Sequence, residues 1–572
     1  MALRKKLYKK TGYFLKEIAR SKIVIQAILV GLVSGLLVVL FKVSITELFN
    51  YIQGFISQFT IMQKLMIFPL ITTIGGLISG LLVFKIAPET RGSGIPYVKM
   101  TLARMGNMTR IRSIIVKFMA GVAGIGTGLS LGREGPSVQL GAGAGALVGK
   151  MFKMRGTDQD KLIASGAGAA IGATFNAPIA GTIFVVEELV NKFSASLLFP
   201  VLVATVTASS LARHFLGSNP SFVIPAVTMG INFESISVCI FLGVAAGILG
   251  VLFSKIIFLN NTFFDNMKKI PNWAKPAIAG LAVGVAGIFL PYILGSGNIS
   301  VDLLLEHKFS VALVAVIFIA KFFITPFCFG SGAAGGIFLP ILMLGSFLGY
   351  LAGVGANYIG FNVNPIVIAL VGMGAFLAAV ARTPITAVVM VFEMTGGYNH
   401  ILPIMLSAAI ADLIAEKLGH KPIYSKLIVN QASKSEEAKL LSELKVRDFM
   451  VRDVKTLSRG MSIKYALDMM DEHGHNAFPI ISSNNKLAGI ITRADIEDAL
   501  FEGNSNETSV EKIMNPSPVV IMPQNDLYTA YYRLHSYNTE WLVVTDEEQR
   551  IKGIITRIDI SNAVNVNLAS AT

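Results

Sequence analysis

Long apolar stretches, each close to the length of a membrane-spanning helix, recur along most of the chain. Residues 23–41 read IVIQAILVGLVSGLLVVLF, residues 66–84 read MIFPLITTIGGLISGLLVF, and a third stretch runs from 236 to 253. About 20 consecutive apolar residues cross a hydrocarbon core. The chain is 53% hydrophobic and 15% charged, which is too apolar for a soluble protein of its 572 residues. The pattern predicts an α-helical, polytopic membrane protein.

The apolar pattern ends near residue 430. Residues 430–444, NQASKSEEAKLLSEL, are polar, and the segment after them has the composition of a soluble protein. We therefore predict a membrane part followed by a soluble tail. The predicted segments are a basic N-terminal segment 1–22, a transmembrane domain 23–430, a linker 431–444 and two soluble units, 445–505 and 506–568.

The transmembrane domain contains two copies of one pattern. Lys117 recurs as Lys321, a shift of 321 − 117 = 204 residues. At the same shift, seven glycines and prolines recur without a gap: Gly126, Gly128, Gly132, Pro136, Gly141, Gly145 and Gly149 match Gly330, Gly332, Gly336, Pro340, Gly345, Gly349 and Gly353. The domain is therefore predicted to be a duplication, with halves at about 23–215 and 235–430.

The distribution of charge indicates how the two halves are oriented. The basic N-terminal segment has no cleavage site after its first apolar run, so we interpret it as a retained cytoplasmic segment. Much of the net charge of +14 has the same explanation, and nucleic-acid binding is not expected. With the soluble tail also cytoplasmic, the number of crossings is even. If each half crosses an odd number of times, the halves are inverted, and such transporters bind substrate near the bilayer midplane.

The soluble tail is also duplicated. GIITRADI (489–496) recurs as GIITRIDI (553–560), a shift of 553 − 489 = 64 residues. Apolar runs such as AFPII and WLVVT alternate with amphipathic stretches, which predicts two small α/β modules. No P-loop is present, so ATP hydrolysis is not expected. Cys239 and Cys328 lie in apolar surroundings, so neither a disulfide framework nor a metal site is predicted.

Three glycine- and proline-containing motifs predict an anion site in the membrane. GSGIP (92–96), GREGP (132–136) and GGIFLP (335–340) are each typical of a helix start. A helix N-terminus has unpaired N–H groups and a partial positive charge, and glycine lets its backbone approach an ion closely. Three such ends would bind a small anion without a fixed cation, which would retain the ion too tightly for release.

These motifs, together with KPIY (421–424), resemble the CLC family of chloride channels and chloride/proton antiporters over residues 23–430, and the tail resembles paired CBS domains. The resemblance implies an inverted-repeat CLC-type fold followed by a cytoplasmic tandem CBS module. It also implies a transporter rather than an enzyme. The implied partners are chloride, protons, membrane lipid and a second copy, in a homodimer with one pore per subunit. The implied location is the plasma membrane, with both termini cytoplasmic.

The resemblance also implies roles for individual residues. The hydroxyls of Ser93 and Tyr424 and the backbone N–H groups of Ile337 and Phe338 would coordinate chloride. Glu134 would be the gating glutamate, which occupies an anion position when ionised and moves away when protonated. A charged side chain at membrane depth is unfavourable by at least about 2.5–3.5 kcal/mol and usually marks function. Serine rather than proline at position 93 resembles members that favour chloride.

The segment FVVEEL (184–189) separates an antiporter from a passive channel. By resemblance, Glu188 is the internal proton-transfer group and Glu187 lies near the cytoplasmic end of the proton route. In the repeat, Glu187 matches Glu393 (393 − 187 = 206), whereas Glu188 matches Met394. One glutamate per half could therefore serve the fold, and the unmatched Glu188 is the better functional candidate. We favour a secondary-active chloride/proton antiporter, with a gated chloride channel as the alternative.

Several assignments stay open. Arg133, Lys117 and Lys321 are interpreted as structural residues or as groups that tune the local field. No cofactor is required for transport, but CBS domains often bind an adenine nucleotide (ATP, ADP or AMP). The CBS resemblance assigns that role to Thr492 and Asp495 and to their counterparts Thr556 and Asp559. Alternatively, the two aspartates are helix caps and the tail serves dimerisation. A hypothesis of another class is a nucleotide-sensing regulatory protein.

Overall fold

The computed structural model describes most of the chain, and it omits the side chains of the basic segment 2–21 and of the linker residues 429–432 and 436–439. The N-terminal segment and much of the linker predicted above therefore lie outside the described side chains. Side chains 195, 501, 535–536 and 564–570 are likewise not described. The described residues are 2–103, 108–191, 193–222, 224, 233–397, 400–432, 436–482, 484, 486–501, 503–537 and 539–570.

The chain divides between Leu427 and Ile428 into two compact units. The first unit is helical. Its α-helices are α1 (Ala2–Ser57), α2 (Ile61–Leu81), α3 (Ile95–Leu102), α4 (Ile111–Gly126), α5 (Glu134–Met151), α6 (Thr157–Phe175), α7 (Pro178–Phe184), α8 (Ala195–Leu216), α9 (Phe233–Asn266), α10 (Lys275–Phe289), α11 (Asn298–Leu305), α12 (Val311–Gly330), α13 (Phe338–Tyr358), α14 (Pro365–Ala381), α15 (Pro384–Thr395), α16 (Ile401–Lys417) and α17 (Ile423–Ala432), the last crossing the division.

Within the described residues, seven helices are long and apolar enough to cross a membrane. The three stretches noted in the sequence lie in the segments Lys22–Ser57, Ile61–Ile86 and Phe233–Asn266. The helices extend beyond the apolar stretches. For example, α9 has 34 residues and is about 51 Å long at 1.5 Å per residue. A helix longer than the hydrocarbon core is accommodated by tilting.

Equivalent helices of the two halves pack in equivalent ways. The glycines at 141 and 145 of α5 lie directly against the backbone of α6, and those at 345 and 349 of α13 lie directly against the backbone of α14. A Cβ atom on any of these glycines would overlap a backbone oxygen of the facing helix. The four-residue spacing therefore serves close helix packing.

Two buried lysines also repeat. The Lys117 ammonium donates to the carbonyl oxygens of Thr90 (2.8 Å) and Gly92 (2.6 Å). The Lys321 ammonium donates to the equivalent oxygens of Ile293 (2.9 Å) and Gly295 (2.7 Å). Both side chains are fully buried. Each lysine therefore donates hydrogen bonds to backbone carbonyls at the GSG loop of its own half. This agrees with the structural interpretation of these cations.

The second unit contains two copies of a small α/β module. Its helices are α18 (Glu436–Glu443), α19 (Val446–Phe449), α20 (Ile463–His473), α21 (Arg493–Phe501), α22 (Leu527–Ser536) and α23 (Arg557–Ser570). Its strands are β1 (Leu457–Ser458), β2 (Ala477–Ile481), β3 (Leu487–Thr492), β4 (Val520–Ile521), β5 (Trp541–Thr545) and β6 (Ile551–Thr556).

The sheets have the orders β1-β2-β3 and β4-β5-β6. In each sheet, the first pair of strands is parallel and the second is antiparallel. Two equivalent backbone bridges connect the modules: Val451 pairs with Ile554, and Asn515 pairs with Ile490. Both pairs are related by the 64-residue shift, so a local two-fold axis relates the modules.

Candidate functional site

The helix starts predicted from the motifs are observed. GSGIP leads into α3 at Ile95, GREGP into α5 at Glu134, and GGIFLP into α13 at Phe338. KPIY leads into α17 at Ile423. The first N–H groups of these helices have no acceptor within their own helix. The membrane unit therefore contains several buried helix ends that could face an anion.

The loops before these helices are hydrogen-bonded to one another. The Gly132 N–H donates to the Gly336 carbonyl at 2.7 Å, and the Gly336 N–H donates to the Gly132 carbonyl at 2.6 Å. The Gly335 N–H donates to the Gly92 carbonyl at 3.1 Å. Since Gly132 and Gly336 are equivalent in the repeat (336 − 132 = 204), the starts of α5 and α13 meet at a local two-fold axis.

Ser93 and Tyr424 present buried hydroxyl groups to this region. Both side chains have 0% exposure, and neither oxygen has a hydrogen-bond partner among the described residues. Buried polar groups are nearly always paired, so two unpaired hydroxyls are candidate ligand contacts. Gly135, near the start of α5, lies so close to the Ser93 hydroxyl that a Cβ atom there would overlap it. Glycine is therefore required at this position.

Ile337 and Phe338 form the start of α13. Ile337 is the residue before the helix, and Phe338 is its first residue. The Phe338 ring packs against the rings of Phe175 and Phe184, with centroids 5.7 and 6.2 Å away. This packing fixes the first turn of α13, so its backbone N–H groups have a defined direction.

Glu134 is the first residue of α5 and is fully buried. Its carboxylate lies near its own N–H and that of Leu339, but neither oxygen reaches hydrogen-bond geometry. The Arg133 Nε atom is 4.0 Å from Oε1. A Cβ atom on Gly132 would overlap Oε2. The carboxylate thus lies between the starts of α5 and α13, where an anion would meet the same N–H groups.

Glu187 and Glu393 cap helices of the opposite halves. The Glu187 carboxylate accepts hydrogen bonds from the N–H groups of Ile385 (3.1 Å) and Thr386 (2.6 Å) at the start of α15. The Glu393 carboxylate accepts from the N–H groups of Ile179 (3.1 Å) and Ala180 at the start of α7 (2.7 Å). These contacts favour the structural role that the repeat left open for Glu187.

Glu188 has different surroundings from its neighbour. It lies in a π-helical turn, Val185–Val190, a geometry frequent at functional sites. Its Oε1 atom is 2.6 Å from the Lys99 ammonium, and Glu188 is 2% exposed. Lys99 also donates to the Ser425 hydroxyl at 3.2 Å. The Tyr424 hydroxyl lies within electrostatic range of both Glu188 and Glu134.

Sequence reasoning did not identify Lys99 and Ser425. The signal for Lys99 was present, because it is a cation six residues after Ser93 in an apolar segment. An ionisable residue at membrane depth usually marks function. Ser425 follows Tyr424 directly, but no property of its sequence surroundings distinguishes it from an ordinary buried serine.

In the second unit, the four predicted nucleotide contacts form two equivalent helix caps. The Asp495 Oδ2 atom accepts from the N–H and the hydroxyl of Thr492, both at 2.8 Å, and the Asp495 N–H donates back at 3.1 Å. Asp559 and Thr556 make the same three contacts at 2.8, 2.7 and 3.3 Å. This is a capping box at the starts of α21 and α23.

Comparison with known proteins identifies both units. Residues 75–416 match the family described as "Voltage gated chloride channel", and residues 446–502 and 510–566 each match the CBS domain. The "H(+)/Cl(-) exchange transporter ClcA" of Citrobacter koseri is 34% identical over 426 residues, which are 72% of this chain and 89% of that relative. The protein of the same name from Yersinia pestis is 33% identical over 448 residues, 75% of this chain and 93% of the relative.

Solved structures agree with this result. A "slow cyanobacterial Cl-/H+ antiporter" has a TM-score of 0.69 and 29% identity, and the match covers 72% of this chain and 98% of that structure. A "eukaryotic CLC transporter" has a TM-score of 0.66, and its 18% identity supports the fold alone. That match covers 95% of this chain and 98% of that structure.

The fold is that of a polytopic helical membrane protein with two equivalent halves and a tail of two α/β modules. The chain belongs to the voltage-gated chloride channel family and has two CBS domains. The predicted fold class is confirmed.

Proposed function

We propose that this protein is a secondary-active antiporter that exchanges chloride for protons. The observation that supports it best is a pair of buried carboxylates: Glu134 at the start of α5, and Glu188, whose partner Lys99 also contacts the residue after Tyr424. One carboxylate alone can gate the anion path. Two carboxylates can also pass a proton from one to the other, so that the proton crosses the membrane by a route that partly differs from the anion path. The names of the antiporter relatives support the same assignment.

Chloride binding uses donors that carry no full charge. In the proposed site, the hydroxyls of Ser93 and Tyr424 donate to the ion together with the N–H groups of Ile337 and Phe338. The partial positive charge at the start of α13 adds to their attraction. The ion is released readily because no fixed cation coordinates it.

Glu134 is the proposed gate and the outer proton carrier. Its ionised carboxylate competes with chloride for the N–H groups at the starts of α5 and α13. On protonation, the carboxyl group becomes neutral and loses this attraction, so an anion replaces it. Proton binding at Glu134 therefore opens the anion path, and proton loss closes it.

Glu188 is the proposed internal proton-transfer group. In each cycle, a proton adds to a lone pair of its carboxylate from the cytoplasmic side and later leaves toward Glu134. Glu187, assigned by resemblance to the cytoplasmic end of this route, already accepts hydrogen bonds at the start of α15. We therefore propose that its main contribution is to cap α15.

The setting of the proposed function follows from the membrane unit. We propose a homodimer in the plasma membrane, with one anion path per subunit and lipid around the outer helices. Both termini are proposed to be cytoplasmic. The basic N-terminal segment supports this orientation, since cytoplasmic segments next to membrane spans are rich in lysine and arginine.

Ion flux in proteoliposomes tests exchange directly. An outward chloride gradient is imposed, and external pH and chloride are recorded together. We expect uphill proton movement coupled to chloride in the unaltered protein. Glu188→Gln should abolish proton movement and leave chloride flux, because an amide takes up no proton. Glu393→Gln serves as a matched control in the other half and should keep both movements. Chloride flux without proton movement in the unaltered protein would establish the passive channel instead.

We also propose that the CBS domains bind an adenine nucleotide that regulates transport. The two CBS domains support this proposal, since such domains often bind adenine nucleotides. Thr492 with Asp495 and Thr556 with Asp559 cap helices at equivalent positions of the two modules, and the proposal requires each pair to contact the nucleotide as well. Titration of the full chain with labelled AMP, ADP and ATP tests this proposal. Asp495→Asn and Asp559→Asn should weaken binding about 10- to 150-fold each, since a hydrogen bond to a charged group contributes about 1.5–3 kcal/mol. Failure of all three nucleotides to bind would leave dimerisation as the role of the tail.

A further inference from the structure

The ion pair between Lys99 and Glu188 has no counterpart in the other half. Lys99 matches Asp302 (302 − 99 = 203), at the shift that relates the two GSG motifs, and Glu188 matches Met394 (394 − 188 = 206). By contrast, the Lys117 and Glu187 contacts are both repeated. An ion pair that the fold needed at this level would be expected in both halves. The Lys99–Glu188 pair is therefore a candidate for function.

The pair is buried and next to the anion site. Lys99 and Glu188 are 8% and 2% exposed, and their charged atoms are 2.6 Å apart. The ammonium also donates to Ser425, the residue after Tyr424. Other ionisable groups facing the pair, within the described residues, are Glu187 next in the chain and the Tyr424 phenol, which Glu134 also faces.

We propose that Lys99 is a positioning residue that couples proton uptake at Glu188 to chloride binding beside Tyr424. While Glu188 is ionised, the pair is neutral and the carboxylate is held in one place. When a proton adds to a lone pair of the Glu188 carboxylate, a new O–H bond forms and the ammonium loses its counter-charge. A buried cation without a partner is strongly unfavourable.

A chloride ion is the group that can restore the balance of charge. The Lys99 ammonium keeps its contact with Ser425 and attracts an anion toward the adjacent Tyr424 hydroxyl. Chloride binds more tightly when Glu188 is protonated, and by reciprocity a bound chloride favours proton uptake at Glu188. When the proton leaves, the ion pair reforms and chloride is released. This inference rests on the proposed role of Glu188.

The effect must be separated from competition at Glu134, which also depends on pH. The full-length protein is therefore tested in the Glu134→Gln background, and chloride affinity is measured by calorimetry as pH is lowered. We expect chloride binding to tighten at least about fivefold in this background. Adding Lys99→Met should abolish the tightening, and adding Lys99→Arg should preserve it. Lys426→Met removes a nearby exposed cation that lies over the Phe258 ring; it should preserve the tightening as well.

A second readout uses transport by the otherwise unaltered protein. Lys99→Met should shift the internal pH at half-maximal proton flux upward by about 1–3 units, because an ammonium at this distance favours the ionised carboxylate. Lys99→Arg should leave the midpoint in place. If Lys99→Met binds chloride with the original pH dependence, the inference is wrong even though exchange stands. If the unaltered protein moves no protons, the proposed function itself fails.

Discussion

At the scale of single residues, five buried charges of the membrane unit fall into two kinds. Lys117 and Lys321 pair backbone carbonyls and recur in both halves. Glu134, Glu188 and Lys99 lack a counterpart of the same charge in the repeat. The first kind stabilises the fold, and the second kind lies around the proposed anion site. Comparing equivalent positions of the two halves thus helps to distinguish functional charges from structural ones within a single sequence.

Lys117→Met should destabilise the membrane unit. The substitution leaves the carbonyls of Thr90 and Gly92 without their buried donor. We expect the free energy of unfolding to fall by about 3–6 kcal/mol, since each of the two lost hydrogen bonds to a charged group contributes about 1.5–3 kcal/mol. Thermal unfolding of the detergent-purified protein measures the change. Lys150→Met, at an exposed lysine, is the control and should change stability little. Equal stability of both variants would exclude a structural role for Lys117.

At the scale of elements, the two capping glutamates should be equivalent. Glu187→Ala removes the cap of α15, and Glu393→Ala removes the cap of α7. Each should lower the free energy of unfolding by about 0.5–2 kcal/mol, the usual effect of losing a helix cap. Thermal unfolding measures this loss, and proteoliposome flux measures proton coupling in the same preparations.

Both variants should keep proton coupling if capping is the main role of Glu187. Loss of coupling in Glu187→Ala, with coupling kept in Glu393→Ala, would instead place Glu187 on the proton route, as the family resemblance implies. Equal losses of stability with unequal proton coupling would therefore distinguish the two roles of Glu187, helix capping and proton transfer.

The elements themselves were largely predictable from sequence. The starts of α3, α5 and α13 followed from glycine and proline at three motifs, since both residues act on the local backbone. The ion pair of Lys99 with Glu188 did not follow, because 89 residues separate the partners. Only the folded chain brings α3 against the π-helical turn. The helix caps of Glu187 and Glu393 likewise join opposite halves, which no local pattern reveals.

At the scale of the whole molecule, an anion should stabilise the folded protein. A ligand that binds only the folded state at about 100 times its dissociation constant adds about 2.7 kcal/mol. We therefore expect the melting temperature in detergent to rise with chloride and to be unaffected by gluconate at equal ionic strength.

The response to chloride should depend on the two buried hydroxyls. Ser93→Ala and Tyr424→Phe should each reduce the increase in melting temperature, because each removes one donor from the ion. Tyr358→Phe, at a tyrosine that is 82% exposed, is the matched control and should leave the increase unchanged. If both hydroxyl variants respond to chloride as fully as the control, the proposed anion site is wrong.

The hydrogen bonds between Gly132 and Gly336 have a consequence for how the protein distinguishes the two sides of the membrane. They place two equivalent helix starts face to face, one beginning with Glu134 and the other with Phe338. Two truly identical halves would present the same properties to both compartments, and such a protein could not distinguish inside from outside. Any difference between the inner and outer faces of the anion path therefore resides in positions where the two halves differ, such as Glu134 opposite Phe338.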